Sequence, residues 1–284
     1  MGETKMKNGL VLEGGAMRGM YTAGVLDVFM ENNIEFDNIV GVSAGALFGI
    51  NFLTKQKGRA IRYSKRFNRD RRYMGLGSLI KTGNIVNTEF AYKIVPTKYE
   101  PVDDETFMKQ TTPFYAVITE VESGEAEYVK INSVYEQMDT LRASGSMPFV
   151  SKLVEINGKN YLDGAIADGI PYKWMQKQGC EKIVVILTRD INYKKRRMPE
   201  ALIRLYYSKL PKTAEALRHR HEIYNAATAE LRELEKSGEV FVIRPSEEIH
   251  ISKIEKNPDK LQAVYDLGRK DGAAMLQKLK EYMA

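Results

Sequence analysis

Cysteine and long apolar runs are what this chain has least of. Cys180 is the single cysteine, so neither an internal disulfide nor a cysteine-based metal site can form. The longest uncharged apolar stretch, residues 41–53, is too short to span a bilayer as a helix. The polar beginning, residues 1–8, lacks the apolar region of a signal peptide. These absences predict a cytoplasmic protein, and no pattern in the sequence indicates a metal or a cofactor.

Negative charge is also in short supply, since 43 Lys and Arg face 37 Asp and Glu, a net charge of +6. The excess is concentrated in residues 59–72 and 194–197. A solvated helix face would explain either cluster alone. Tyr63, Phe67 and Tyr73 interleave the first one, however, and basic and aromatic residues together suit an anionic membrane interface. Peripheral contact with the inner membrane face is therefore an expectation, and nucleic-acid binding is not.

A serine turn is the most informative feature that the sequence does contain. Residues 37–47 predict a short apolar strand, a sharp turn at Ser43 and a helix over about 44–53. Gly41 and Gly45 flank the serine, so the backbone can bend tightly and leave the hydroxyl accessible. The helix directs its free N–H groups toward the same spot. This G-x-S-x-G pattern is typical of a nucleophile elbow, although ordinary strand-to-helix turns carry it as well.

A glycine-rich loop follows the first predicted strand, residues 8–13. Its sequence is Gly14-Gly15-Ala16-Met17-Arg18-Gly19, which approximates the dinucleotide fingerprint G-x-G-x-x-G. Ala16 replaces the middle glycine, however, and the candidate ribose-binding acid, Asp37, precedes the second strand instead of ending it. Small residues beside the elbow leave backbone N–H groups free to stabilise a negative oxygen. An oxyanion hole therefore explains the loop better than a nucleotide site does.

An aspartate turn ends a predicted hairpin. Segments 153–156 and 160–162 flank Asn157-Gly158, a strong two-residue hairpin signal. The second strand leads into Asp163-Gly164-Ala165, an exposed turn from which the carboxylate could reach the serine. Asp-Gly is also a common turn dipeptide, so this turn alone does not establish a catalytic role.

The order of the predicted elements indicates an α/β fold that opens with parallel strands. Segments 113–119 and 126–131 predict a hairpin, which adds an antiparallel component. Further predicted elements are a helix that ends at about 178, a strand at 182–187, a long basic helical region through 232, a strand at 240–244 and a helix at 258–282. We expect one catalytic domain, residues 1–284, with its core at about 8–172 plus these C-terminal strands and helices.

Histidine, the usual base for a serine nucleophile, occurs three times. His219 and His221 lie in a basic helical run that looks solvated. His250 keeps the chain order serine, aspartate, histidine, but its surroundings do not resemble a catalytic loop. One strand before the serine strand is also too few for the usual α/β-hydrolase sheet. A triad with His250 stays an alternative.

The glycine loop, the serine elbow and the aspartate turn, in this order, resemble the motifs of the patatin-like phospholipase family. The resemblance is clearest over residues 8–172 and includes the small-residue turn at 143–148. It implies a three-layer α/β/α fold around a mixed, mostly parallel central sheet. Two departures are mild: Glu13 stands where the family often has Asp, and Ala16 where it often has Gly. Neither change removes a backbone donor.

The resemblance also implies roles for individual residues. Ser43 would be the nucleophile of a Ser–Asp dyad, and Asp163 would accept its proton and later activate water. The implied oxyanion-hole donors are the backbone N–H groups of Gly14, Gly15 and Ala16, with Ala44 as a further donor. The supporting motif positions are Arg18, Gly19, Gly41, Gly45, Gly164 and Ala165. Arg18 would either contact the substrate or anchor the loop.

The expected function is therefore a serine lipid acyl hydrolase of the phospholipase A or lysophospholipase type, acting on a lipid or acyl-ester substrate. A carboxylesterase, thioesterase or acyltransferase could use the same dyad, because the sequence fixes neither the alcohol nor the acyl chain. A non-catalytic protein that binds lipid or an anionic membrane, with a vestigial dyad, is the third alternative.

Overall fold

An eight-stranded sheet forms the centre of the computed structural model, which describes residues 6–284. Residues 1–5 of the polar beginning lie outside the described range. The strands β1 to β8 are Asn8–Leu12, Asn38–Val42, Phe114–Glu120, Ala126–Ile131, Val154–Ile156, Lys159–Asp163, Lys182–Ile186 and Val240–Ile243. The helices α1 to α10 are Met20–Glu31, Ala44–Leu53, Arg59–Phe67, Leu76–Thr82, Asp104–Met108, Met138–Ser144, Tyr172–Lys177, Glu200–Tyr207, Pro211–Lys236 and Pro258–Met283. Two 3-10 turns, Ala16–Gly19 and Gly164–Ile166, and a π-helical segment, Phe90–Tyr99, accompany them.

The main part of the sheet is parallel, in the order β3-β2-β1-β7-β8. β4 and β6 pair antiparallel with β3, and β5 pairs antiparallel with β6. All of β1 is buried, as expected of a central parallel strand covered on both faces. The predicted mixed, mostly parallel sheet is thus confirmed.

Helices cover both faces of the sheet. Leu10 and Leu12 of β1 belong to a core that contains side chains of α1, α2 and α10. Val11, between them, points into a second core with Met175 of α7 and Leu231 of α9. This alternation follows from the two-residue period of a strand. The predicted three-layer α/β/α architecture is confirmed.

β2 and β6 meet end to end along one edge of β3. β4 occupies the other edge, so both strands must use this one. Val42, the last residue of β2, lies opposite Val117, and Asp163, the last residue of β6, lies opposite Ile118. Because β2 runs parallel to β3 and β6 runs antiparallel to it, their C-terminal ends face each other. The sheet itself therefore places the end of the aspartate hairpin beside the serine turn.

The long basic helical region predicted after β7 is interrupted. Residues 188–199 are irregular, and helices follow only at α8 and α9. The carboxamide of Asn225 on α9 accepts a hydrogen bond from the N–H of Lys195 at 2.8 Å and donates one to its carbonyl oxygen at 3.0 Å. Side-chain bonds of this kind satisfy peptide groups that a helix would otherwise pair. The prediction of helix over 188–199 is therefore wrong.

The basic and aromatic stretch, residues 59–73, turns its aromatic rings inward. Phe67 and Tyr73 are buried, and their rings lie 5.4 and 6.5 Å from the ring of Phe90. These rings pack in an internal hydrophobic cluster with side chains of the π-helical segment. They cannot supply the membrane contact for which the sequence suggested this stretch.

α1 and α10 cross at close range through glycines. A Cβ on Gly24 of α1 would overlap the carbonyl oxygen of Tyr265, and a Cβ on Gly268 of α10 would overlap that of Tyr21. The hydroxyls of both tyrosines donate to buried aspartates on the opposite helix. Any side chain at either glycine must therefore push the helices apart and disturb these bonds.

Gly24→Ala is expected to lower the free energy of unfolding by about 1–3 kcal/mol, the range typical of overpacking. The higher helix propensity of alanine, worth about 1 kcal/mol, is outweighed because the obstacle is backbone and cannot rotate away. Gly77→Ala in α4 is the matched control, since a Cβ there meets no atom within 4 Å. Urea unfolding followed by circular dichroism measures both variants, and equal stability of the two would contradict this account of the helix crossing.

Candidate active site

Ser43 occupies the sharp turn between β2 and α2. Its backbone angles, φ 54° and ψ −120°, are unusual for a residue with a side chain. Such strain is characteristic of a nucleophile elbow. The flanking glycines make the turn possible, because a Cβ on Gly41 would lie 2.6 Å from the nitrogen of Ala46 and one on Gly45 would overlap the carbonyl oxygen of Leu12.

Asp163 lies directly beside the serine. The Ser43 Oγ donates a hydrogen bond to the Asp163 Oδ2 at 2.8 Å, and the backbone N–H of Ala165 donates to Oδ1 at 2.9 Å. Both side chains are buried, with 6% of Ser43 and 4% of Asp163 exposed. Burial raises the pKa of Asp163 above its ordinary value, while Arg220, the N–H of Ala165 and the Ser43 hydroxyl oppose the shift.

The small-residue turn at 143–148 holds both residues from one side. The N–H of Ser43 donates to the Ser144 Oγ at 2.9 Å, and the N–H of Asp163 donates to the carbonyl oxygen of Ser146 at 2.9 Å. The sequence pointed to this turn but not to its contacts. Ser144 is thus a positioning residue that pattern reasoning missed.

The glycine-rich loop lies against the elbow. A Cβ on Gly14 would lie 3.0 Å from the Cβ of Ser43, and one on Gly15 would lie 2.6 Å from the Thr188 Oγ1, so larger residues do not fit at these positions. Within residues 6–284, the backbone N–H groups of Gly15 and Ala16 donate to no protein acceptor. Ala16 and Ser43 line the same cavity. Free donors beside the hydroxyl are what an oxyanion hole requires.

Glu13 and Arg18 anchor the two ends of this loop. The Glu13 carboxylate accepts hydrogen bonds from the Tyr224 hydroxyl at 2.6 Å and from the backbone N–H of Thr188. Arg18 donates to the carbonyl oxygen of Ile251 at 2.7 Å. Gly19 packs against α2, where a Cβ would lie 2.7 Å from that of Ala44. Of the two roles considered for Arg18, loop anchoring is the one that the contacts describe.

Cationic side chains from the C-terminal part of the chain surround Asp163. Arg220 on α9 donates through Nε to the carbonyl oxygen of Ala165. The ammonium of Lys195 lies 3.9 Å from the centre of the Tyr224 ring. Burial and repulsion from Arg220 lower the pKa of Lys195 to about 7. No sequence pattern points to this group, because Lys195 belongs to a basic run that is typical of a solvated helix face.

A mainly apolar cavity of about 110 Å³ opens beside Ser43. Its lining includes Leu47, Phe48, Val95, Met138 and Leu141. A pocket that is apolar except at one reactive end suits a hydrocarbon chain whose ester group lies at that end.

None of the three histidines contacts Ser43. His219 bonds to Glu222, His221 to the carbonyl oxygen of Arg218, and His250 lies 3.7 Å from Glu248 with most of its surface exposed. The structure thus does not assemble the triad with His250. Over residues 6–284, no cluster of His, Cys, Asp and Glu could hold a metal ion. In the same range, no helix has the length and apolar character needed to cross a membrane.

Fold and site together define an α/β protein with a serine elbow, an adjacent aspartate and an apolar cavity. Comparison with known families agrees: the model of the family "Patatin-like phospholipase" matches residues 10–173, more than half of the chain. The chain belongs to the patatin-like phospholipase family. This membership supports lipid ester hydrolysis as its general activity. A second family model, "Domain of unknown function (DUF6363)", matches residues 210–284.

Individual relatives span the chain to different extents. The uncharacterized protein YjjU of Escherichia coli (strain K12) is 28% identical over 274 residues, covering 94% of this chain and 76% of its own length. Lysophospholipase NTE1 of Saccharomyces cerevisiae is 28% identical over 183 residues, which cover 63% of this chain but 10% of the yeast protein. VipD from Legionella pneumophila, a solved structure, superposes with a TM-score of 0.45 at 11% identity, covering 96% of this chain and 67% of its own.

Proposed function

We propose that this protein is a serine lipid acyl hydrolase of the phospholipase A or lysophospholipase type, with Ser43 as nucleophile and Asp163 as base. The observation that carries the proposal is the 2.8 Å hydrogen bond between the Ser43 Oγ and the Asp163 Oδ2, made where the apolar cavity ends. A hydroxyl needs a base within this distance to become a nucleophile at neutral pH.

Acylation follows from this geometry. The Ser43 Oγ attacks the ester carbonyl carbon as its proton passes to Asp163, and the N–H groups of Gly14, Gly15 and Ala16 stabilise the oxyanion, with Ala44 as a further donor. The bond from carbon to the alcohol oxygen then breaks, and the proton moves from Asp163 to that oxygen. The products of this half-reaction are the free alcohol and an acyl-serine.

In deacylation, water takes the place of Ser43 as the nucleophile, and the Ser43 oxygen becomes the leaving group. Water gives its proton to Asp163 while its oxygen attacks the acyl carbon, and the bond to the Ser43 Oγ breaks as that oxygen regains the proton. The fatty acid leaves, and the dyad is restored. Burial of Asp163 assists both half-reactions, because a raised pKa makes the carboxylate a better proton acceptor.

The cavity and the cations support a phospholipid over a small neutral ester. The acyl chain would occupy the apolar cavity, while the cavity-lining Lys253 would face the alcohol side with its phosphate. Arg220 and Lys195, whose charges act on Asp163, would add positive potential at the same end of the site. A carboxylesterase that acts on small neutral esters gains no comparable support from the cations. These groups come from the C-terminal part of the chain, so we treat residues 1–284 as one catalytic unit.

Covalent labelling tests the proposed nucleophile. An alkyl fluorophosphonate, which reacts with activated serines, is expected to attach once per chain, and peptide mass spectrometry is expected to find it on Ser43. Labelling should abolish fatty-acid release from a lysophospholipid, measured directly. Release that survives complete labelling, or labelling at another serine, would refute the assignment. A protein that binds lipid but neither reacts nor releases fatty acid would favour the non-catalytic alternative.

The pH dependence of turnover tests whether Asp163 is the base. Arg220 lowers the pKa of Asp163, so Arg220→Gln raises it. A base must be ionised to act, and a raised pKa delays ionisation to higher pH. The acidic limb of the kcat profile is therefore expected to move to higher pH in Arg220→Gln and to return in Arg220→Lys.

Arg218→Gln is the matched control for this experiment. Arg218 lies on the same helix but is paired with Glu200 at the surface, at 2.7 Å. Its profile is expected to coincide with that of the wild type. An unmoved acidic limb in Arg220→Gln would argue against Asp163 as the titrating base.

A further inference from the structure

Helix α4 presents two large apolar side chains to solvent. Leu76 is 69% exposed and Ile80 is 84% exposed. They are four residues apart and therefore lie side by side on one helical face. Exposed pairs of this kind contribute nothing to a folded core and indicate a surface that contacts something else.

Helix α8 presents a second apolar face. Leu202, Leu205 and Tyr206 are exposed, whereas Ile203 and Tyr207 on the opposite face are buried. Leu205 is 72% exposed. A helix with apolar residues on both sides has one side packed on its own protein and the other available to a partner.

The segment 147–153 connects the two helices. The N–H of Ile85, just after α4, donates to the carbonyl oxygen of Val150 at 2.7 Å. The Phe149 ring lies 5.6 Å from that of Tyr206 on α8, and Leu153 at the end of the segment is also exposed. Through these contacts the segment 147–153 links α4 to α8, and the six exposed side chains are together called the docking face: Leu76, Ile80, Leu153, Leu202, Leu205 and Tyr206.

The charge around the docking face is mainly positive. Residues 76–84, 147–153 and 201–210 contain no acidic side chain, and Glu200, the first residue of α8, is paired with Arg218. Their basic side chains are Lys81, Lys152, Arg204 and Lys209, all exposed. None of the four forms an ion pair with another residue of the range 6–284. Such a surface is complementary to an anionic partner, while two copies meeting through it would bring like charges together.

The docking face is continuous with the wall of the cavity. Met74 and Val86 form an isolated antiparallel β-bridge, one before and one after α4 in the sequence. Both line the cavity, and so does Met147 at the start of the connecting segment. A hydrocarbon chain that leaves a bilayer at the docking face would therefore meet apolar side chains on its way to Ser43.

We infer that the docking face is the surface by which this protein binds an anionic lipid bilayer, inserting the apolar side chains of α4 and α8 among the acyl chains. The inference rests on the proposed function, because it supplies the route by which a bilayer lipid reaches the dyad. It assigns membrane contact to residues other than the basic stretch 59–73, whose rings are internal.

Vesicle flotation of the full-length protein tests the inference. Vesicles of equal parts phosphatidylcholine and phosphatidylglycerol are the probe, and hydrolysis of p-nitrophenyl butyrate is followed in parallel. The double variant Ile80→Asp, Leu205→Asp is expected to bind at least about tenfold less strongly, because both side chains would insert. Its turnover of the soluble ester should equal that of the wild type, since both residues are exposed and outside the site.

Two further variants separate the apolar and electrostatic contributions. Met108→Asp is the matched control, because Met108 is an apolar residue 56% exposed on α5, outside the docking face, and it should bind normally. Lys81→Gln with Lys152→Gln should weaken binding to the anionic vesicles but leave binding to pure phosphatidylcholine vesicles unchanged. Raised salt should act in the same direction as this pair.

Unchanged vesicle binding by the double aspartate variant would overturn the inference, as would an equal loss in Met108→Asp. A wild-type dimer that fails to bind vesicles and dissociates in Ile80→Asp would overturn it in favour of a second copy of the chain. The proposed function fails separately: wild type that binds vesicles through the docking face but hydrolyses neither ester nor lipid would support this surface and refute catalysis.

Discussion

Asp163→Asn is expected to reduce kcat for a soluble acyl ester by at least about a thousandfold, the upper part of the range for loss of a general base. Asparagine has nearly the same shape: its oxygen can accept the hydrogen bond from the N–H of Ala165, while its NH2 group donates to the Ser43 Oγ, which lies 2.8 Å from the carboxylate in the wild type. It cannot take up the proton, however. Initial rates with p-nitrophenyl esters measure the loss, and Ser43→Ala is expected to match it without further loss in the double variant.

Asp168→Asn is the matched control for this substitution. Asp168 follows five residues later in the same loop, is partly buried, and accepts a hydrogen bond from the Tyr128 hydroxyl at 2.7 Å. Burial raises the pKa of both carboxyl groups. They differ in that only Asp163 reaches the serine. Comparable losses in the two variants would indicate damage to the fold, and near-normal activity of Asp163→Asn would refute the dyad.

Stability provides an independent measurement on the same variants. A folded-state pKa above the unfolded one means that the ionised carboxylate of Asp163 costs stability at higher pH. The Asn variant removes that cost, so its free energy of unfolding at neutral pH should be at least that of the wild type. The difference should shrink as pH falls through the folded-state pKa, where Asp163 is protonated in any case. Lost activity with retained stability is the signature of a catalytic group.

Local chemistry made the separate pieces of the site predictable. Gly41 and Gly45 around the serine, and Asn157-Gly158 before the aspartate, specify turns whose geometry depends on a few neighbouring residues. Asn157 and Gly158 indeed adopt φ 51° and φ 80°, as a tight hairpin requires. The 2.8 Å contact between the turns depends instead on β2 and β6 sharing one edge of β3. Periodicity within a strand carries no information about which edge it will occupy, so only the family resemblance indicated the pairing.

Surroundings that come from distant parts of the chain escaped prediction for the same reason. Lys195 looks like part of a solvated run. Its backbone N–H nevertheless donates a hydrogen bond to the Asn225 side chain, and its ammonium lies over the Tyr224 ring. Phe67 and Tyr73 look like membrane anchors beside arginines, yet the π-helical segment buries them. In both cases the local sequence is compatible with exposure. Whether the side chain is buried depends on residues that are distant in the sequence.

Gly164→Ala is expected to reduce kcat by about a hundredfold, the loss typical of misplacing a reacting group by roughly 1 Å. Gly164 directly follows Asp163 at the place where β6 ends against β3. A Cβ there would overlap the carbonyl oxygen of Val117, a backbone atom that pairing with the neighbouring strands holds in place. The added methyl must therefore move the turn, and Asp163 moves with it away from the Ser43 hydroxyl. Initial rates on the soluble ester and the rate of fluorophosphonate labelling of Ser43 should fall together.

Gly169→Ala separates this steric effect from a general intolerance of the turn. A Cβ on Gly169 would lie 3.7 Å from its nearest neighbour, an ordinary contact, so this variant should keep wild-type turnover and labelling. Gly164→Ala should also lose about 1–3 kcal/mol of unfolding free energy, the usual cost of overpacking. By contrast, Asp163→Asn is isosteric, so it should lose activity while keeping its stability. Full activity of Gly164→Ala would show that the register of β3 against β6 does not set the distance from base to nucleophile. Equal losses in both glycine variants would assign the sensitivity to the turn as a whole.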